Sequence, residues 1–324
     1  MHYRRFGKTN LKISVFSLGT MRCLASESEA KETVQQAIAK GINHLETARS
    51  YGKGEEYLGN IIKTKLSLPR EQIYITTKLP PTPDVDLMRQ WINESLERLQ
   101  LEYLDCLAIH GINTWEHLAW VESPGGCMAA VAEAREQGRI RHIGFSTHGP
   151  LELILAAINT DLFEFVNLHY YYFWQRNAAA VELAAQKDLG VFIISPADKG
   201  GRLYTPPPKL EQLCDPFSPL ELNYRFLLSD RRITTLSFGP ANSAELTAPL
   251  KVADQDQPLT QMEVEALRRL ENQELDALGT NRCSQCYACL PCPENIHIPE
   301  VLRLRNLAVA YEMTEFAKYR YQMF

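Results

Sequence analysis

Residues 73–111 read IYITTKLPPTPDVDLMRQWINESLERLQLEYLDCLAIHG. The two ends, 73–79 and 103–111, are dense in β-branched and apolar side chains, the composition of strands buried on both faces. Between them Val85, Met88, Trp91, Ile92, Leu96 and Leu99 recur at helical spacing. Strand, helix and strand at these lengths make a βαβ unit with parallel strands. The same alternation fills the first 250 residues, with strand-like runs at 15–20, 43–48, 73–79, 103–111, 141–147, 164–170, 191–197 and 233–239. The intervening segment SEAKETVQQAIAKG (28–41) has a capping box in Ser26 and Glu29 and a stop at Gly41. Eight such pairs predict a closed (β/α)8 barrel. A doubly wound open sheet is the alternative, but the glycine-rich turn of its dinucleotide-binding versions is missing after the first run.

A barrel of this kind occupies ~250 residues, and the chain has 324. The expected organisation is a barrel over 1–253, a polar linker and surface helix over 254–280, and a cysteine-bearing segment with one or two helices over 281–324. With 45% hydrophobic and 23% charged residues and a net charge of -5, the composition offers no bulk attraction to nucleic acid or to anionic membranes. The N-terminus lacks an apolar signal core, and no run reaches the ~18 apolar residues of a membrane span. The cytoplasm is the expected location. Cys23, Cys106, Cys127 and Cys214 lie far apart and read as buried free thiols.

The run CSQCYACLPCP places Cys283, Cys286, Cys289 and Cys292 two residues apart, followed by Pro293. Four thiolates that close can wrap one metal centre. A [4Fe-4S] cluster takes four cysteine sulfurs, and ferredoxin-type runs string them through short loops ending in Cys-Pro. Four-cysteine zinc sites, the alternative, more often split into two knuckles separated by a longer loop. The fold expected is therefore an α/β barrel with a small helical iron-sulfur appendage.

In a parallel barrel the chemistry collects where strands end and βα loops begin. The polar residues there are Glu46 and Tyr51 after the second run, Lys78 at the end of the third and His110 at the end of the fourth. A phenol, with an unperturbed pKa of ~10, needs a nearby cation to become a better acid. Lys78 can supply that charge, Glu46 can hold the ammonium, and His110 can hydrogen-bond a substrate carbonyl.

The segments RRFGKTNLKISVFSLGTMR and ETARSYGKGEEYLG, with the Lys78 and His110 strands, resemble the aldo-keto reductases over roughly residues 1–250. The resemblance implies Tyr51 as general acid, Lys78 and His110 in supporting roles, and hydride transfer between NADPH and the carbonyl of a small substrate. Glu46 stands where the family usually has Asp. For the nicotinamide the resemblance implies Ser146 and Thr147. In the sixth strand, where the family has Gln, aligning VNLHYYY leaves Leu168; Tyr170 or Tyr172 is the stacking aromatic. Ser195, Pro196 and Gly200 correspond to a loop lining the pyrophosphate. Gly239, Asn242 and Ser243 offer backbone amides at a helix start for a phosphate. The basic residue that often grips the 2'-phosphate is absent there, with Lys199 or Arg202 as substitutes, so NADH is not excluded. Some relatives carry a similar ferredoxin-like tail, which implies a redox partner protein if the cluster transfers electrons. The competing function is a weakly catalytic or non-catalytic scaffold for the cluster.

Overall fold

The computed structural model describes residues 1–64 and 66–323, and the chain divides into two compact units. One comprises Met1–Tyr170, Asn177–Ser195 and Asp230–Gln255; the other comprises Tyr171–Arg176, Pro196–Ser229 and Asp256–Phe324.

In the first unit, β1 (Tyr3–Arg5) and β2 (Lys12–Ser14) form an antiparallel hairpin. Then β3 (Phe16–Gly19), β4 (His44–Glu46), β5 (Tyr74–Leu79), β6 (Leu104–His110), β7 (Ile140–Ser146), β8 (Phe165–Leu168), β9 (Gly190–Ile193) and β10 (Thr235–Phe238) pair in parallel, and β10 closes on β3. Each of the eight strand-like runs overlaps one barrel strand, and β7 and β9 begin one residue before theirs. The helix of the opening stretch spans Val85–Leu99 and buries Met88, Ile92, Ser95, Leu96 and Leu99. Asp84 caps it, accepting from the amides of Asp86 and Leu87 at 2.9 and 3.0 Å. At the helix over Glu27–Ala39, Ser26 accepts from the Glu29 amide at 3.2 Å, one arm of the expected capping box.

The barrel interior is layered. Phe6, from the hairpin, packs with Ile13, Cys106, Phe165 and Phe192 at the end where β8 and β9 begin, sealing it with apolar surface. Above lies a polar layer. Ser17 Oγ meets His44 Nδ1 at 2.6 Å and Thr235 Oγ1 at 2.8 Å, while His44 Nε2 meets Thr76 Oγ1 at 2.8 Å. Burial pushes the His44 pKa down to about 4, so a neutral imidazole joins these hydroxyls. The four scattered cysteines, Cys23, Cys106, Cys127 and Cys214, are buried free thiols.

The second unit is helical, with helices over Pro208–Cys214, Pro219–Ser229, Gln261–Leu278, Ile298–Tyr311 and Thr314–Tyr321. The Gln261–Leu278 helix, expected at the surface, contributes Ala266, Leu270 and Leu278 to a core with Leu210, Leu222, Leu304, Leu307 and Tyr311. Its solvent-facing charges dominate the sequence, whereas its apolar stripe finds partners only once distant segments pack on it. A capping box between Thr260 and Glu263 starts this helix. Glu263 also receives Arg225 Nε at 2.6 Å in a buried ion pair, and Arg225 Nη2 bonds the carbonyls of Gln257 and Pro258 at 3.1 and 3.3 Å. Those bonds satisfy charges whose burial is otherwise costly. No helix among the described residues is long and apolar enough to cross a membrane.

Candidate active site

Glu46, Lys78 and His110 stand at or beside the ends of β4, β5 and β6, and Tyr51 lies in the loop after β4. Side chains on a strand alternate, so register decides which of them share a face. Lys78 pairs with Ala108, His110 with Ser146, and Ser146 with Asn167. The four residues nominated for chemistry therefore meet at one mouth. Lys78 is ion-paired with Oε2 of Glu46, and its Nζ donates to the Thr47 carbonyl at 3.0 Å. Oε1 of Glu46 accepts from Ser237 Oγ at 2.6 Å. The Lys78 ammonium lies 5.0 Å from the Tyr51 ring centre, and the Tyr51 and His110 rings meet edge to face at 5.7 Å. Glu46 thus keeps the ion pair despite its extra methylene.

Charge states follow from burial and pairing. Burial raises the Glu46 pKa, but the charge and hydrogen bond of Lys78 outweigh it and the group ends below its ordinary value. Burial likewise opposes the Lys78 charge, and Glu46 then Tyr51 outweigh it, leaving the pKa raised. For Tyr51 the balance differs from the expectation. Burial, joined by the Glu46 charge, raises the phenol pKa by more than the Lys78 charge and hydrogen bond lower it. Burial, reinforced by Lys78, pushes His110 down to about 4. At neutral pH the site holds a carboxylate, an ammonium, a protonated phenol and a neutral imidazole.

The residues nominated for the cofactor divide. Ser146 shares the His110 face, and its Oγ accepts from the Gly111 amide at 3.1 Å. Thr147 Oγ1 donates to the Ile112 carbonyl at 2.7 Å and accepts from the Gly149 amide at 3.0 Å, tying two loops together. One residue before Leu168, Asn167 shares the inner face with Ser146. It is fully buried, and neither polar atom of its amide has a partner among the described residues. Buried amides are almost always satisfied. Sequence reading missed Asn167 by one position, although the alternation along VNLH already separates Asn167 and His169 from Leu168. The Tyr170 phenol lies beside Asp230 and Arg232.

After β9, Ser195 adopts a positive φ of 53°. After β10, Gly239 is followed by a short 3-10 turn over Ser243–Leu246, capped by Asn242, whose side chain accepts from the Ala244 amide at 3.1 Å. Ser243 donates to Glu32 at 2.8 Å. Arg22 Nη1, which the sequence did not single out, donates to the Gly239 carbonyl at 2.9 Å and to Glu245 at 3.0 Å.

Pro196, Gly200 and the cysteine run belong to the second unit. A side-chain carbon at Gly200 would lie 2.1 Å from the Pro196 carbonyl oxygen, so that turn admits only glycine. Tyr172 donates to the Leu267 carbonyl at 2.9 Å, and Arg202 stacks on Tyr319 at 3.6 Å. Burial pulls the Lys199 pKa down to about 8. Cys283 and Cys292 are half-buried, and Cys286 and Cys289 exposed, on the loop between the Gln261–Leu278 and Ile298–Tyr311 helices. Among the described residues, no three His, Cys, Asp or Glu side chains are grouped so as to hold a metal ion. Cys283 lines a pocket whose walls include Gln285 and Arg303, each with a buried donor, Nε2 and Nη1, lacking a partner among the described residues. Of the four cysteines Cys283 alone lines this pocket, the carboxylates of Glu271 and Glu274 stand on the same walls, and Arg303 is ion-paired with Glu300.

The model of the Aldo/keto reductase family matches residues 16–272. The chain is similar to the uncharacterized oxidoreductase YqkF of Bacillus subtilis, 22% identical over 314 residues that span 85% of this chain and 98% of that one. It is 29% identical to the L-galactose dehydrogenase of Arabidopsis thaliana over 61% of this chain and 66% of the relative. Among solved structures, the holo form of the aldo-keto reductase AKR11C1 from Bacillus halodurans superposes with a TM-score of 0.72 at 21% identity, covering 83% of this chain and 96% of that one. A family match over most of the chain, on a barrel of the family's kind, identifies the protein as an oxidoreductase enzyme of the aldo/keto reductase family.

Proposed function

We propose that the enzyme reduces a small carbonyl compound with NADPH or NADH, Tyr51 acting as the general acid. The observation that carries the reading is the convergence of Tyr51, Lys78, Glu46 and His110 on the mouth that also holds the unpartnered Asn167 amide. A buried amide with both a donor and an acceptor free fits the carboxamide of a nicotinamide, with Ser146 beside it. When bound, the nicotinamide supplies a hydride to the carbonyl carbon. Neutral His110 orients the carbonyl oxygen by a hydrogen bond. Tyr51 then delivers its proton to that oxygen, and Lys78 stabilises the phenolate left behind. Arg22, near Gly239, is the candidate for an adenosine phosphate.

Fluorescence titration with NADPH and NADH tests the cofactor assignment. Asn167→Ala is expected to weaken binding of the preferred cofactor about tenfold, the scale of one or two lost amide hydrogen bonds. Absence of binding by the unaltered protein would overturn the reading and favour the scaffold.

The second element of the proposal is one [4Fe-4S] cluster on Cys283, Cys286, Cys289 and Cys292, in an iron-sulfur branch of the family. The support is the ligand spacing. Ligation requires the loop to draw its four sulfurs together. Protein purified anaerobically is expected to contain ~4 iron and ~4 sulfide per chain. Zinc without sulfide would refute the cluster. Because a nicotinamide moves two electrons at once and a cluster normally one, the cluster is proposed to be structural first, a docking point for a redox partner second and a sensor third.

A further inference from the structure

Glu46 and Ser237 touch across a strand that separates them. Their strands, β4 and β10, both pair with β3, and Gly19 at the end of β3 is the register partner of Glu46. A side-chain carbon at Gly19 would stand 3.0 Å from Glu46 Oε1 and 3.2 Å from Ser237 Oγ. Glycine leaves open the space in which the two side chains meet. Ser237 is 6% exposed, and its 2.6 Å bond to a carboxylate is a short, charge-assisted one. An aspartate at position 46 would end one methylene, about 1.5 Å, nearer its own backbone.

We propose that Ser237 is a positioning residue for the reaction: its hydroxyl anchors Oε1 of Glu46 on the β10 side, through the gap at Gly19, so that only Oε2 engages Lys78. This inference rests on the reading of Tyr51 as the acid and deepens it. The charged and titratable groups around Tyr51 are Lys78 on β5, Glu46 on β4 and His110 on β6, with His44 one layer below. Glu46 raises the phenol's pKa and Lys78 lowers it. Without the Ser237 hydroxyl, Oε1 is buried with no donor, and the carboxylate turns both oxygens to the ammonium. Lys78 is then more fully neutralised as seen from Tyr51, and the phenol becomes a weaker acid.

The test is steady-state reduction of nitrobenzaldehyde by NADPH across pH, with Ser237→Ala, Ser237→Thr, Glu46→Asp and the Glu46→Asp/Ser237→Ala double variant. Ser237→Ala is expected to lower kcat about tenfold, the scale of a hydrogen bond to a charged group, to leave the NADPH KM unchanged and to move the alkaline limb to higher pH. Ser237→Thr restores both. In the Glu46→Asp background the serine has nothing to hold, and its removal is close to silent. An unchanged kcat and alkaline limb in Ser237→Ala, or an equal loss in the aspartate background, would overturn the proposal. Ring-carbon NMR of tyrosine-labelled protein, with Tyr51→Phe as the assignment, reads the phenol's titration without turnover. If Tyr51→Phe stays active, the general-acid reading fails. The Ser237 arrangement is then decided by whether Ser237→Ala raises the titration point of Tyr51.

Discussion

Tyr51→Phe is expected to lower kcat for carbonyl reduction by about a thousandfold, within the range that a positioned general acid contributes. The variant keeps the ring that meets His110 edge to face and lies beside Lys78, so the fold is retained. Cofactor affinity stays near that of the unaltered enzyme. A loss in kcat with unchanged NADPH KM is the pattern of an interaction made only in the transition state. His110 does not substitute as a charged acid, because burial holds its pKa at about 4 and the imidazole is neutral throughout the working range. For the same reason the pH profile has no inflection from His110 between pH ~6 and ~7, where an ordinary histidine titrates. Steady-state kinetics from pH 5 to 10 check both points. Full turnover by the phenylalanine variant would remove Tyr51 from the mechanism.

Lys78→Met is expected to have the largest effect on stability. It leaves Glu46, 5% exposed, as an unpaired carboxylate whose one remaining hydrogen-bond partner among the described residues is the Ser237 hydroxyl. Breaking a buried pair in this way costs about 3–5 kcal/mol. The sign of the pH dependence distinguishes this cause from simple loss of packing. In the unaltered protein Lys78 holds the Glu46 pKa below its ordinary value, so this pair's stabilisation is present above the unfolded pKa and is lost as pH falls through the folded one. In Lys78→Met burial, the largest influence on Glu46, is opposed only by the weaker effects of Ser237 and His44, and the folded pKa is expected to rise above the unfolded value. The folded state then binds the extra proton, and the deficit relative to the unaltered protein shrinks as pH falls from 7 to 5. Urea unfolding of both proteins at these two pH values measures it. A deficit independent of pH would show that Glu46 is not left as a buried charge.

The barrel was legible because its signal is local. Strands covered on both faces must be apolar along their length, and each helix declares itself by one apolar stripe and by caps such as Asp84 and Ser26. The β1–β2 hairpin lacked such a signal. Its strands are three residues each, and its importance lies in one side chain, Phe6, which seals an end of the barrel whose other walls come from residues 106, 165 and 192. The Gln261–Leu278 helix was legible as a surface helix from its charges, whereas the partners of its one buried stripe, Leu304 and Leu307 among them, were not.

In the site, sequence nominated Tyr51, Lys78, His110 and Glu46, since strand ends in a parallel barrel must face one mouth and the motifs resembled a known family. Tertiary structure decided the rest. It put Asn167, not Leu168, on the inner face, because a one-residue step reverses a strand side chain. It joined Glu46 to Ser237, 191 positions away, across a glycine that leaves them room. It also set the acidity of Tyr51, where burial, joined by the Glu46 charge, outweighs the cation that sequence alone could see. Which residue types are present, and at what spacing, is a property of the chain. Register, desolvation and contacts between distant segments exist only after the strands have closed, and they govern how those residues are charged and aimed.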